Sequence, residues 1–260
     1  MKWRRALFGL GFAGLVGSAA QTGAAGSGEV EGGAYAGTTA GGWICGPAAR
    51  ANYGGLGARV RLTDRDRGHE DGAGWSGQVG AAAEYEHVNL SDPNCSVECN
   101  AEDFEVPGDA VMGGAYARAG YRWRWFGVEG GMGLYQGWKD NTDDKPSSRF
   151  FPNVRLSTGP EESWSVFTGV GSEGVTSARR PALIYVGGEL GAGRGHRIGL
   201  QGGWARQGPA LDDAFGSRVD LSWRVPLNAT SFFRAAGGVS VDLDAEDAGA
   251  EGAMALGSTF

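Results

Sequence analysis

Between Val111 and Trp138 the chain presents two opposite faces, residue by residue, then turns back and repeats them. Val111, Ala115, Ala117, Ala119, Tyr121, Trp123 and Trp125 fall on one side of the alternation, and Tyr116, Arg118, Arg122 and Arg124 on the other. After Phe126-Gly127 it restarts, with Val128, Met132, Leu134 and Trp138 on one face and Glu129, Gly131, Gly133 and Tyr135 opposite. A period of two is the mark of a strand, and the short break predicts an antiparallel hairpin. The charges constrain what this hairpin can join. A soluble sandwich has to put one face in its core, and arginines do not line such cores. In a transmembrane barrel the apolar face meets lipid and the charged face meets a wet or salt-bridged lumen.

Composition agrees with a barrel where average hydropathy does not. The mean hydropathy of -0.27 is that of a soluble protein, but only every second residue of a barrel strand faces lipid, so the average is diluted. Gly 49, Trp 9, Phe 11 and Tyr 7 make the chain rich in glycine and aromatics. Beyond the amino end no run of 18 or more apolar residues appears, which speaks against a helical span. The amino end reads as a secretory signal: Lys2, Arg4 and Arg5, an apolar core from Ala6 to Val16, and small residues at Ser18-Ala19-Ala20. Residues 1–20 are therefore expected to be a cleaved signal peptide, 21–32 a flexible Gly/Ala/Ser lead in the periplasm, and 33–260 the barrel.

Alternating runs predict strands near 33–44, 49–62, 75–89, 110–125, 127–138, 150–158, 163–171, 182–191, 195–206, 216–226, 229–241 and 252–260. Most suit the roughly 9 to 11 residues that cross a bilayer at a tilt. From the fourth strand on, short turns (Phe126-Gly127, 159–162, 193–195, 227–228) alternate with long polar loops (139–149, 172–181, 207–215, 242–251), the outer-membrane pattern. The fold class expected is thus all-β, a transmembrane antiparallel up-and-down barrel of about 12 strands. Because the connections at 45–48 and 63–74 fit the rule poorly, 10 or 8 strands are the alternatives. On this topology Trp75, Trp123, Trp125, Trp164 and Trp223 lie near the periplasmic strand ends and Trp43, Trp138 and Trp204 near the outer ends, two levels as interfacial aromatic girdles require.

The last segment, Ala253-Met254-Ala255-Leu256-Gly257-Ser258-Thr259-Phe260, alternates and closes on an aromatic residue. Here the chain resembles porin-like bacterial outer-membrane β-barrel proteins, without marking a subfamily. The resemblance implies that Phe260, with Leu256 and Met254 on its face, is an assembly signal for the barrel-assembly machinery. It also implies residence in the outer-membrane bilayer of a Gram-negative envelope. One departure is that many lipid-facing positions are Gly or Ala.

The same alternation supplies an inward, pore-lining set: Arg59, Arg61, Glu84, Glu86, Arg118, Arg122, Arg124, Glu129, Arg155, Glu189, Arg197, Arg218, Asp220, Arg224 and Arg234. Arginine outnumbers acid. If these groups pair across strands they form a salt-bridged plug; if some stay unpaired they line a path that favours small anions. The expected function is a narrow passive channel for small polar or anionic solutes, with a non-conducting structural or loop-displaying barrel as the alternative. An outer-membrane hydrolase is the third class. Of His69, His87 and His196, only His87 lies where a catalytic base would be useful, near Asn89 and Ser91, and no nucleophile motif surrounds it. The chain is accordingly read as not an enzyme.

Cys95 and Cys99 are close enough for a small disulfide loop in an oxidising compartment, which leaves Cys45 over. Two thiols without a nearby histidine make a poor zinc set, and the acidic loops (140–144, 212–213, 242–251) lack the spacing of a calcium loop. No metal or cofactor is expected, and the net charge of -7 argues against nucleic acid.

Overall fold

In a computed structural model, residues 27–41, 49–65, 73–90, 109–139, 147–160, 163–172, 182–206, 215–242 and 247–260 are described. They form twelve strands: β1 (Ser27–Gly41), β2 (Ala49–Arg65), β3 (Gly74–Leu90), β4 (Ala110–Arg122), β5 (Phe126–Lys139), β6 (Ser147–Thr158), β7 (Trp164–Gly171), β8 (Ala182–Gly191), β9 (Arg197–Arg206), β10 (Phe215–Pro226), β11 (Ser231–Asp242) and β12 (Asp247–Thr259). Each pairs with its sequence neighbour, and β1 pairs with β12, so the sheet closes into an antiparallel up-and-down barrel. Closure leaves no open edge, which a strand crossing lipid requires.

The connections explain the register. At one end lie the short turns. Trp123 donates its N–H to the carbonyl of Phe126 at 2.7 Å and closes the β4–β5 hairpin around Arg124 and Trp125. Gly193, Arg194 and Gly195, joining β8 to β9, all adopt positive φ, a path that glycine takes without steric cost. Asn228 Oδ1 accepts the N–H groups of Thr230 and Ser231 at 2.9 and 2.7 Å, building the β10–β11 turn from its side chain. The start of β1 and the end of β12 meet at this same turn end, with Glu29 opposite Thr259. From β3 to β10 the longer connections lie at the other, loop end, while 66–73 at the turn end and 243–246 at the loop end depart from that pattern.

Outward positions carry a continuous apolar surface. Val79, Val111, Met132, Leu134, Val186, Leu200, Leu221 and Met254 are all exposed, an area that only lipid or a partner would cover. At the turn end Trp75, Tyr121 and Trp123 meet edge to face at 5.3 and 5.0 Å, and Trp123 stacks on Phe126. Trp125 and Trp164 adjoin each other there, and Trp223 stacks with His196. Trp138 and Trp204 lie near the loop ends of β5 and β9. Trp43 lies outside the described residues, as do residues 1–26 and Cys45, Cys95 and Cys99.

Three expectations are corrected. Residues 27–32 are not a lead, because β1 starts at Ser27 and runs alongside both β2 and β12. The β4–β5 hairpin turns at 123–125, since Phe126 already belongs to β5, and so Arg124 is exposed in the turn and does not line the lumen. Residues 247–251 are not loop, because β12 begins at Asp247 in register with Asp242.

Candidate functional site

The lumen is built by rings lying on glycines and by charges bridging strands. Tyr35 of β1 covers Gly55 of β2 while Tyr53 of β2 covers Gly37 of β1; a Cβ on Gly37 would come within 2.7 Å of the Tyr53 ring. Tyr116 covers Gly80 in the same way, Phe167 and Tyr185 cover Gly187 and Gly169 reciprocally, and Phe232 covers Gly257. An aromatic ring laid flat on the glycine opposite fills the space a side chain would take and protects the backbone there. Six of the glycines are thereby explained. Apart from Tyr116, these rings were not apparent from charge alternation alone.

Two charge clusters occupy the half of the lumen near the turn end. In the first, Glu31 of β1 binds Arg59 of β2 at 2.6 Å and Arg234 of β11 at 3.1 Å. Glu29 joins Arg224 of β10 at 2.6 Å and reaches Arg59 at 3.5 Å. Arg224 is held further by Phe232, whose ring centroid lies 3.6 Å beneath its guanidinium carbon. In the second cluster, Glu129 of β5 binds Arg118 of β4 at 2.8 Å, accepts from Ser76 of β3 at 2.6 Å and lies 3.9 Å from Arg61 of β2. Gln78 completes it by accepting from Arg118 at 3.0 Å and donating to Tyr116. Arg122 binds Ser157 at 3.0 Å and the carbonyl of Gly159, and Arg155 lies 4.5 Å over the Phe167 ring.

Nearer the loop end, Arg218 and Asp220 of β10 pair at 2.7 Å, and Arg218 also binds Glu251 of β12 at 2.6 Å. Tyr53 donates to Glu251 at 2.7 Å. Glu84 and Glu86 of β3 are buried on the inner face. The buried members, Glu31, Glu86, Arg118 and Glu129 among them, sit in a low-dielectric wall where charge is tolerated only with close partners.

Accessibility divides the lumen. On the β3–β6 wall the inward residues Gln78, Glu86, Met112, Tyr116, Arg118, Asn153 and Arg155 are buried, Glu86, Met112 and Asn153 completely. On the β8–β11 wall Glu189, Arg197, Gln201, Arg218, Asp220, Ser222, Arg224 and Arg234 are all partly accessible. Glu189 and Arg197 retain 28% and 29% of their side-chain exposure, and only 3.5 Å separates them. Packing is therefore closest on the β3–β6 side, while the polar side chains of β8–β11 keep partial access to water around the buried rings of Tyr185 and Phe232.

Of the residues expected inside, every one except Arg124 lies on the inner face. The sequence reading missed Glu29, Glu31 and Glu251, which hold four of these arginines between them. Their signal was present: Glu29 and Glu31 flank Val30, and Glu251 stands two residues from Ala253, both with period two. His87 faces outward and its Nδ1 lies 2.6 Å from Asp109 Oδ1, while Tyr85 donates to the same carboxylate. His69 lies outside the described residues. Among the described residues no set of three or more His, Cys, Asp or Glu is placed to hold a metal ion.

No protein-family model matches the chain, and no curated protein matches its sequence. Solved structures match its fold. The translocator domain of autotransporter NalP from Neisseria meningitidis is similar at a TM-score of 0.50 and 11% identity, over 98% of this chain and 95% of that one. An outer membrane channel from Pseudomonas putida F1 gives a TM-score of 0.48 at 14% identity, over 90% of this chain and 95% of that one. The transport unit of the autotransporter AIDA-I from Escherichia coli gives 0.45 at 7% identity, over 92% of each chain. The chain has the closed barrel fold of bacterial outer-membrane proteins.

Proposed function

We propose that this protein is an outer-membrane barrel that passes small polar solutes and small anions slowly along its β8–β11 wall. The observation that carries the reading is the unequal packing of the lumen: on β8–β11 the Arg, Gln, Ser and acidic side chains stay partly accessible around the buried rings of Tyr185 and Phe232, whereas on β3–β6 most inward side chains are buried. Water that reaches Ser222, Gln201 and Arg197 is a route for solutes of similar size. Arginines outnumber acids among the accessible groups of β8–β11, and fixed positive charge at short range favours anions. Ion pairing reduces that preference, so selectivity is modest.

Residence in the outer membrane is supported by the exposed apolar band, the aromatic rim at the turn end and the fold itself. Export by a cleaved leader at 1–20 and recognition of Phe260 by the assembly machinery complete this reading. A second reading, a non-conducting structural barrel, is favoured by the packed β3–β6 half. Planar-bilayer conductance of the refolded mature protein under a salt gradient separates the two. Small discrete steps with a reversal potential on the anion side are expected. Steps with cation preference overturn the arginine argument but keep the pore, and silence from a barrel known to be folded leaves the structural reading.

A further inference from the structure

Three arginines stand directly opposite one another on three adjacent strands. Arg224 of β10 is in register with Arg197 of β9 on one side and with Arg234 of β11 on the other. All three face the lumen and all are partly accessible. Like charges directly opposite destabilise a sheet, so a rung of three calls for compensation. The wall supplies it unevenly. Glu29 holds Arg224 at 2.6 Å and Glu31 holds Arg234 at 3.1 Å, but both carboxylates also serve Arg59. Among the described residues Arg197 pairs with Glu189, at the longer distance of 3.5 Å. The rung lies close to the turn end, since Arg197 opens β9 and Arg224 stands two residues from the end of β10.

From this geometry we infer that the Arg197–Arg224–Arg234 rung is a binding site for a free oxyanion of the phosphate class, entering from the turn end of the lumen. The guanidinium fork matches a tetrahedral oxyanion two bonds at a time. Arg224 is already fixed by Glu29 and by the Phe232 ring beneath it, so part of the ordering cost of binding is met in advance. Arg197, with the loosest partner, turns from Glu189 to the ligand. Glu29, Glu31 and Glu189 oppose the anion, which sets a weak, exchangeable affinity suited to a passage. The site rests on the proposed water access along β8–β11, and it deepens that reading by naming the solute class.

The test is isothermal titration of inorganic phosphate into the full mature barrel, folded in detergent and held in chloride buffer. Each variant is first checked for the folded mobility of the unheated protein on a gel. Saturable binding is expected, weakened about tenfold or more in Arg197→Ser, which removes a charge-assisted hydrogen bond to the anion. Arg197→Lys retains the charge and recovers part of the affinity. Arg124→Ser, at the same end of the barrel but off the lumen, leaves binding unchanged. Absence of binding in the wild-type protein, or equal binding in Arg197→Ser, overturns the site. Conductance distinguishes the two proposals. A barrel that binds phosphate but passes no current keeps the site and loses the channel, and one that conducts without binding keeps the channel and loses the site.

Discussion

Glu31 stands beside the join where β1 meets β12 and holds arginines from both directions, Arg59 on β2 and Arg234 on β11. Its side chain is 1% exposed, so its removal leaves two guanidiniums short of a carboxylate in a poorly solvated wall. Glu31→Gln keeps the shape and removes the charge; it should lower the stability of the folded barrel by about 3 kcal/mol, the usual penalty for breaking a buried pair. Glu189→Gln is the counterpart at a pair more than a quarter exposed, and should cost less than about 1 kcal/mol. Urea midpoints of the two variants in the same vesicles provide the comparison. Equal shifts would mean that burial does not govern the strength of the lumenal pairs.

At the scale of single strands, each element shows why one half of its residues was legible and the rest was not. β10 is clear, because Val219, Leu221 and Trp223 alternate with Arg218, Asp220, Ser222 and Arg224 and the structure exposes the first set outward. β4 and β5 read equally well along their lengths, and only the hairpin between them slipped. A run of Arg122, Trp123, Arg124 and Trp125 continues the alternation past the point where the Trp123–Phe126 hydrogen bond turns the chain. β1 was shortened because Gly, Ala and Ser surround its two glutamates and mimic a linker, although one of them, Gly28, is what leaves room for the Phe260 ring. Tyr116 and Tyr135 are legible on the charged face of their strands, but Tyr35, Tyr53 and Tyr185 are not, because a Tyr alternating with Gly carries no charge signal. On the lipid side of β10, Leu221→Arg should destabilise the barrel by roughly 2 to 4 kcal/mol near mid-membrane depth. Ser222→Arg, one residue on and facing the lumen, should cost less, as unfolding in vesicles will show. If the two cost the same, the inward and outward faces of β10 are misassigned.

For the whole molecule, the closed sheet accounts for how so small a barrel holds so many arginines. The Glu129 cluster, the ring of Tyr116 laid on Gly80 and the Gln78–Tyr116–Arg118 chain fill the β3–β6 side. The water-accessible β8–β11 side is then left for passage, with the arginine rung at its turn end. The twelve-strand count was legible because turn and loop lengths alternate; the unequal packing of the two walls was not, since it depends on which strands face each other across the barrel.

The measurement that reaches this claim most directly is the effect of a thiol-reactive cation on single-channel current, in a background with Cys45, Cys95 and Cys99 replaced by serine. Ser222→Cys on the accessible wall should react and reduce the current stepwise, whereas Ser157→Cys on the buried β6 wall should remain unmodified with the current intact. Equal reaction at both positions, or reaction at Ser157→Cys alone, would contradict an off-centre path along β8–β11.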